Sequence, residues 1–263
     1  MRSPSPFPSF ALSCAMLVGA LTIALPSASA EADAAGFGRR FHVWGRFRPG
    51  SWVIVKQGIE TLGDGGLVVS RHNCETRMTL ANANDSALTL QVQASLEVGG
   101  KKLDTAPQEL RQGVHGDLPE VAATAELEPQ DLQVGGQTYR CEVHRSEAEV
   151  DGRRTVTTSW IAPQTTPFVL RRLTTTTDVA TGRQLSETLN EVVSLSERRV
   201  MARSRQTAEV RIVQRHPRGQ TTARAVSCPE IPGGLVSQTS EEFDSQGKLL
   251  RRTRMELVDF ETK

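Results

Sequence analysis

The side chains with chemistry to offer are five histidines, three cysteines beyond residue 30 and a run of arginines. His72-x-Cys74 and Cys141-x-x-His144 together supply two sulfurs and two imidazoles, the donor types of a tetrahedral zinc site. On a strand, residues three apart point to opposite faces, so Cys141 and His144 cannot hold one ion there. No metal site is therefore expected. Cys74, Cys141 and Cys228 are read as disulfide candidates, with one bridge and one leftover thiol, or as buried thiols. Their spacing leaves all three pairings open.

Nucleophilic catalysis has little support. There is no Gly-x-Ser-x-Gly elbow, and His42, His72, His115, His144 and His216 stand in no catalytic context. Ser245-Gln246-Gly247-Lys248 spells Ser-x-x-Lys, but that chemistry needs the first turn of a helix, and Gly247 marks a hairpin tip instead. Glu187 and Glu191 read as residues of a solvated strand face. No phosphate loop or calcium loop is present. The chain reads as a non-enzyme without a cofactor.

Arginine is the more informative residue. Between residues 199 and 215, Arg199, Arg203, Arg205, Arg211 and Arg215 occupy odd positions, broken by Glu209, while Val200, Ala202, Ala208, Val210 and Ile212 occupy even ones. One long strand over this stretch would show an arginine ladder outside and an apolar face inside. Guanidinium groups bind phosphate and carboxylate in bidentate fashion, so anionic lipid or acidic polysaccharide are the partners this ladder fits. Decoration of an exposed strand and protection of its edge are the plainer reading. Trp52 and Trp160 are candidate walls of a ligand groove, and equally core anchors, as is Trp44.

The elements that must position these residues begin with a leader. Arg2 precedes an apolar run from Phe10 to Leu25, Pro26 breaks it, and Ala28-Ser29-Ala30 fits signal peptidase, which implies export and cleavage before Glu31. Cys14 lies inside the apolar run, which argues against lipidation there. Without residues 1–30 the chain carries 30 basic and 30 acidic side chains. That balance argues against a surface built for nucleic acid. No later run is long enough to span a bilayer as a helix. Threonine occurs 24 times after residue 30, as suits a pleated sheet with one wet face.

Strand signals follow. From Leu88 to Val98, apolar and polar residues alternate strictly, and Gly99-Gly100 then supplies a hairpin turn. Other strands are predicted at 52–57, 67–72 and 75–80. The organisation predicted is a loose stretch at 31–40, a β portion at 41–103, a connection at 104–120, and a second β portion at 121–263. The second portion contains a repeat at an offset of 65: Pro167, Leu170, Gly182, Leu185, Thr188 and Glu191 match Pro232, Leu235, Gly247, Leu250, Thr253 and Glu256. A fainter third copy starts at Pro49-Gly50-Ser51-Trp52. Leu185, Leu189, Val192 and Val193 also satisfy helical spacing, but the flanking glycine turns favour strands.

Pro49-Gly50-Ser51-Trp52-Val53, Leu96–Lys102, Pro167–Arg172 and Pro232–Val236 resemble an uncharacterised family of exported bacterial β-rich envelope proteins. That resemblance implies an envelope location and no particular activity. At fold level the repeated strands look like the open half-barrels of envelope lipoprotein carriers of the LolA, LolB and LppX type, which would imply a concave face for an acyl chain. The fold expected is all-β or nearly so: a large curved antiparallel sheet of repeated hairpins. The expected role is structural or binding in the envelope. Alternatives are a carrier of a lipophilic ligand and a hydrolase with an unfamiliar site.

Overall fold

A computed structural model describes residues 42–84, 87–98, 101–113 and 123–263. The expected leader, the loose stretch at 31–40, the turn at Gly99-Gly100 and His115 lie outside them. The strands are β1 (Trp52–Leu62), β2 (Val68–Ala83), β3 (Ala87–Val98), β4 (Lys101–Asp104), β5 (Gln108–Gly113), β6 (Ala123–Val134) and β7 (Gln137–Val150). Then follow β8 (Arg153–Ile161), β9 (Val169–Asp178), β10 (Gln184–Val200), β11 (Arg203–His216), β12 (Gly219–Ser227), β13 (Leu235–Asp244) and β14 (Leu249–Glu261). All belong to one antiparallel sheet ordered β4-β3-β2-β1-β14-β13-β12-β11-β10-β9-β8-β7-β6, with β5 also pairing β3. The nearly all-β expectation holds. The stretch 104–120, predicted as a connection, contributes β5 to the sheet, because Gln108–Gly113 pairs with Ala87–Val92.

Alternation decides which face each strand buries. Leu88, Leu90, Val92 and Ala94 of β3 are 0–6% exposed, while Gln91 and Gln93 between them are exposed. The same inner face carries Val53, Val55 and Met255, and the segment before β1 lays Trp44 and Phe47 against them. The β12–β13 loop adds Cys228 and Ile231. A second cluster gathers Val134, Cys141, Val143, Trp160, Leu170, Val192 and Val210. Val43 touches both clusters, so the N-terminal segment bridges them. The second cluster exists because the sheet rolls back on itself. At the β6–β7 tip the Gly135 amide donates to the Val193 carbonyl at 3.0 Å, although β7, β8 and β9 separate these strands in the ladder. Val193 is available because the β10–β11 register slips between Val192 and Ser194.

Strand bounds recur within the second half, at 66 residues rather than 65. β7, β8 and β9 precede β11, β12 and β13 by that interval at both ends. In the loops, Ala162 N donates to Phe168 O and Cys228 N to Gly234 O, both at 2.8 Å. The turn after Asp178 closes with Asp178 N bound to Arg183 O; its counterpart closes from Asp244 N to Lys248 O, one residue sooner. That single residue converts 66 to 65, which is why Gly182 and Gly247 match at 65 while Pro167 falls opposite Gly233 and not Pro232.

Two consequences can be measured. A Cβ on Gly219, whose φ is +151°, would lie 1.9 Å from the Phe243 carbonyl oxygen, whereas one on Gly247 meets nothing within 4 Å. Gly219→Ala should lower stability by about 3 kcal/mol and Gly247→Ala by about 1, read as shifts in urea midpoint. The second concerns His42, whose Nδ1 accepts from the Trp44 amide at 3.2 Å. Burial lowers its pKa from 6.5 to about 4. Between those values only the unfolded chain takes the proton, so stability contributed above pH 6.5 is lost as pH falls towards 4. His42→Asn should flatten that slope, by up to about 3 kcal/mol between the two pH limits, in denaturation curves taken across the range.

Candidate functional site

The arginine ladder is not one strand. Met201 and Ala202 form a turn, with Met201 at φ 55°, so Arg199 lies next to the end of β10 and Arg203 opens β11. A tight turn left the alternation intact across two strands. Arg205 turns away from the others: its side chain is 11% exposed, lies 5.3 Å from the Phe260 ring centre and pairs with Glu230. Arg211 pairs with Glu191 at 2.5 Å and Arg215 with Glu187 at 2.6 Å, each directly across the β10–β11 ladder. Glu187 and Glu191 thus serve as counterions. Only Arg199 and Arg203 of the five have no acidic partner among the described residues.

The tryptophans do not share a groove. Trp52 on β1 and Trp160 on β8 are seven strands apart in the sheet order. Trp52 Nε1 donates to Glu261 Oε2 at 2.8 Å under the Arg77 guanidinium; Trp160 is buried and donates to Gln130 Oε1 at 2.9 Å. Each anchors its own corner of the sheet.

The cysteines form no disulfide. All three are buried thiols on different elements, Cys74 on β2, Cys141 on β7 and Cys228 after β12. In the sheet order β2 and β7 stand nine positions apart. Burial raises the Cys141 thiol, helped by Asp131, and burial likewise raises Cys228. Among the described residues no three of His, Cys, Asp and Glu gather as metal ligands. Ser245 and Lys248 lie at the β13–β14 turn, and Lys248 Nζ is engaged with Asp64 across to the β1–β2 turn.

What register does assemble is a trough on the outer face of the sheet. Residues opposite one another across a ladder share a face. Arg71, Glu60, Arg252 and Glu241 line up across β2, β1, β14 and β13. This row alternates in charge, with Arg71 2.6 Å from Glu60 and Arg252 3.4 Å from Glu241. The neighbouring row runs Asn73, Gly58, Arg254, Thr239, Arg224, Arg211 and Glu191. Arg254 pairs with Glu256 at 2.6 Å along its own strand, and Arg211 with Glu191. Arg224, between Thr239 and Arg211, is exposed and has no acidic partner among the described residues. These two rows wall a trough of 830 Å³ that spans β2 to β11. Gly58 keeps its floor low, since a Cβ there would meet Asn73 Oδ1 at 3.3 Å. Arg211 was legible as a candidate; Arg224 was missed because its strand, Gly219–Ser227, carries a single arginine and no pattern by itself.

No protein family matches the chain, and no curated protein does. Some solved structures align with most of this chain at low identity. A candidate lipoprotein from Parabacteroides distasonis is 9% identical, with a TM-score of 0.37, over 84% of this chain and 98% of that one. A DUF1329 family protein from Desulfovibrio piger is 10% identical, with a TM-score of 0.31, over 81% and 85%. A candidate exported protein with YMCC-like fold from Bacteroides fragilis is 8% identical, with a TM-score of 0.30, over 82% and 97%. At such scores the likeness carries no argument about function.

The thiol assignment has a direct test. Protein beginning at residue 31, unfolded in denaturant without reductant, should react as three thiols per chain, and the folded protein far more slowly. One reactive thiol per unfolded chain would mean a disulfide had formed.

Proposed function

We propose that this is an exported, non-catalytic binding protein that holds an acidic polysaccharide of the cell envelope in the outer-face trough. Arg224 carries the reading: an exposed guanidinium without an acid among the described residues, opposite Arg211 and two strands from Arg254, in the middle of a trough. Other trough arginines are each matched by a glutamate, so a polyanion meets net positive charge at Arg224 and polar groups along the walls. The trough crosses six strands, about 24 Å at ordinary strand spacing, which suits an extended chain better than a small molecule. Guanidinium forks match carboxylates bidentately. Export is supported by the leader-like first thirty residues, with cleavage after Ala30 and a periplasmic or extracellular destination.

A lipophilic cargo is less well supported. The two apolar clusters already have occupants from this chain: Trp44, Phe47 and Ile231 in one, Val134 of the β6–β7 tip in the other. The trough itself is walled by charged and hydroxyl side chains, which would leave an acyl chain in polar company.

Polygalacturonate, with neutral dextran as control, tests the proposal. Wild type should bind polygalacturonate and not dextran, with affinity falling as salt rises. Arg224→Glu and Arg211→Glu should each weaken binding about ten-fold or more and leave the melting temperature within a degree or two, because exposed charges contribute little to folding. Equal binding by the variants, or binding only to phosphatidylglycerol vesicles, would overturn it.

A further inference from the structure

Adjacent arginines on β9 face opposite ways. Arg171 lies on the outer face, over the Trp160 ring at 4.9 Å and across from Glu191. Arg172 lies on the inner face and is 6% exposed. Across the ladder its neighbours are Ser159 on β8 and Asn190 on β10, both buried, with His144 beyond Ser159. Arg172 Nε donates to Ser159 Oγ at 3.3 Å, and Nη2 is buried with no hydrogen-bond partner. Among the described residues no acid pairs with it. Burial alone pushes its pKa down, to about 9. The carboxylate two residues from His144, that of Glu142, lies 3.6 Å from His144 Nε2 and its side chain is half exposed.

A guanidinium has five donors, no acceptor and a permanent charge, so an interior without a counterion leaves it unsatisfied. The surrounding groups solvate it only partly, because amides and hydroxyls carry no net charge. They are well suited to complete the shell of an anion. On the same face, below Arg172, Thr157 bonds Thr174 at 3.1 Å and Thr155 bonds Thr176 at 3.3 Å, with Thr188 opposite Thr174 and Ser186 opposite Thr176. Thr174, Thr176, Ser186 and Thr188 are only half buried, so a lane of hydroxyls runs from the solvent-touched end of β9 and β10 to Arg172.

We propose that Arg172, Ser159 and Asn190 form an internal site for one oxyanion, a carboxylate or a phosphate group, reached along this threonine lane. The anion supplies the missing charge: Nη2 donates to it, and the Asn190 amide and neighbouring hydroxyls hold its remaining oxygens. The site is separate from the outer trough, because Arg172 and Arg224 lie on opposite faces of the sheet. It stands or falls independently of the polysaccharide reading.

Protein starting at residue 31 is titrated with acetate, galacturonate and inorganic phosphate at constant chloride, read by calorimetry and by melting temperature. At least one probe should bind saturably at one site per chain and raise the melting temperature by several degrees. Which probe does so separates a carboxylate from a phosphate. Arg172→Met should abolish the response and, free of anion, melt higher than wild type, since it removes an unmatched buried charge. Arg224→Glu should leave the response unchanged. Asn190→Ala and Ser159→Ala should weaken it at least three-fold, which keeps the test informative if Arg172→Met does not fold. No saturable binding of any probe by wild type overturns the site. So does an undiminished response in Arg172→Met or, failing that, in both alanine variants.

Discussion

The ladder between β1 and β14 makes one sheet out of two halves. Ten residue pairs, from Trp52–Glu261 to Thr61–Arg251, join the first described strand to the last. Without it, β1 to β5 would form a small sheet with an uncovered apolar face, and β6 to β14 another. The indole hydrogen bond from Trp52 to Glu261 closes a sequence separation of 209 residues. Closing a loop that long costs about 5 kcal/mol in chain entropy, so the ladder must be repaid by burial of Val53, Val55, Met255 and the residues they meet. It also makes the fold non-local, and sheets that wait for distant partners assemble slowly.

The same ladder brings the charges of the outer face into register. A nearly neutral composition becomes, in the folded chain, rows in which arginine meets glutamate across β1–β2, β13–β14 and β10–β11. Exposed pairs of this kind contribute only about 0–1 kcal/mol each. Their effect is on register and solubility: a slip of one residue would set each guanidinium against the wrong neighbour and turn the apolar row outward. Against that background Arg224 differs from Arg211, Arg252 and Arg254, which all have their glutamates. Inside the sheet the contrast is sharper, because Arg172 is 6% exposed and its Nη2 has no hydrogen-bond partner among the described residues.

Local pattern made some of this readable. The alternation in β3 predicts its buried face correctly from Leu88 to Ala94, because strand period and burial coincide there. The arginine ladder was misread for the same reason. A tight turn at Met201-Ala202 preserves the period of two, and no glycine or proline announces it, so one strand and a hairpin look alike. Cysteine pairing was beyond reach, since strand order and not spacing decides which thiols approach. The offset of 65 was visible because glycine turns and the strands after them match, while the extra residue in the turn after Asp178 hid the interval upstream. Arg172 had a signal that went unused: in Leu170-Arg171-Arg172-Leu173-Thr174, a period of two must send one of the paired arginines inward.

How the sheet ends limits how it can be used. One edge is β6, where Pro129 sits within a register slip between Leu127 and Gln130, and Glu126, Glu128 and Asp131 face solvent. Proline cannot donate to a ladder, and a charged, bulged edge repels an added strand. The other edge is divided between β4 of four residues and β5 of six, too short to template a long partner strand. Neither edge invites strand addition, the usual way an open sheet recruits another chain. That leaves the two faces, and the apolar clusters are already occupied by Trp44, Phe47 and the rolled β6–β7 tip. What remains is the charged outer trough and the hydroxyl-lined lower half of the inner face. Each of these surfaces holds one arginine, Arg224 or Arg172, with which no acid among the described residues pairs.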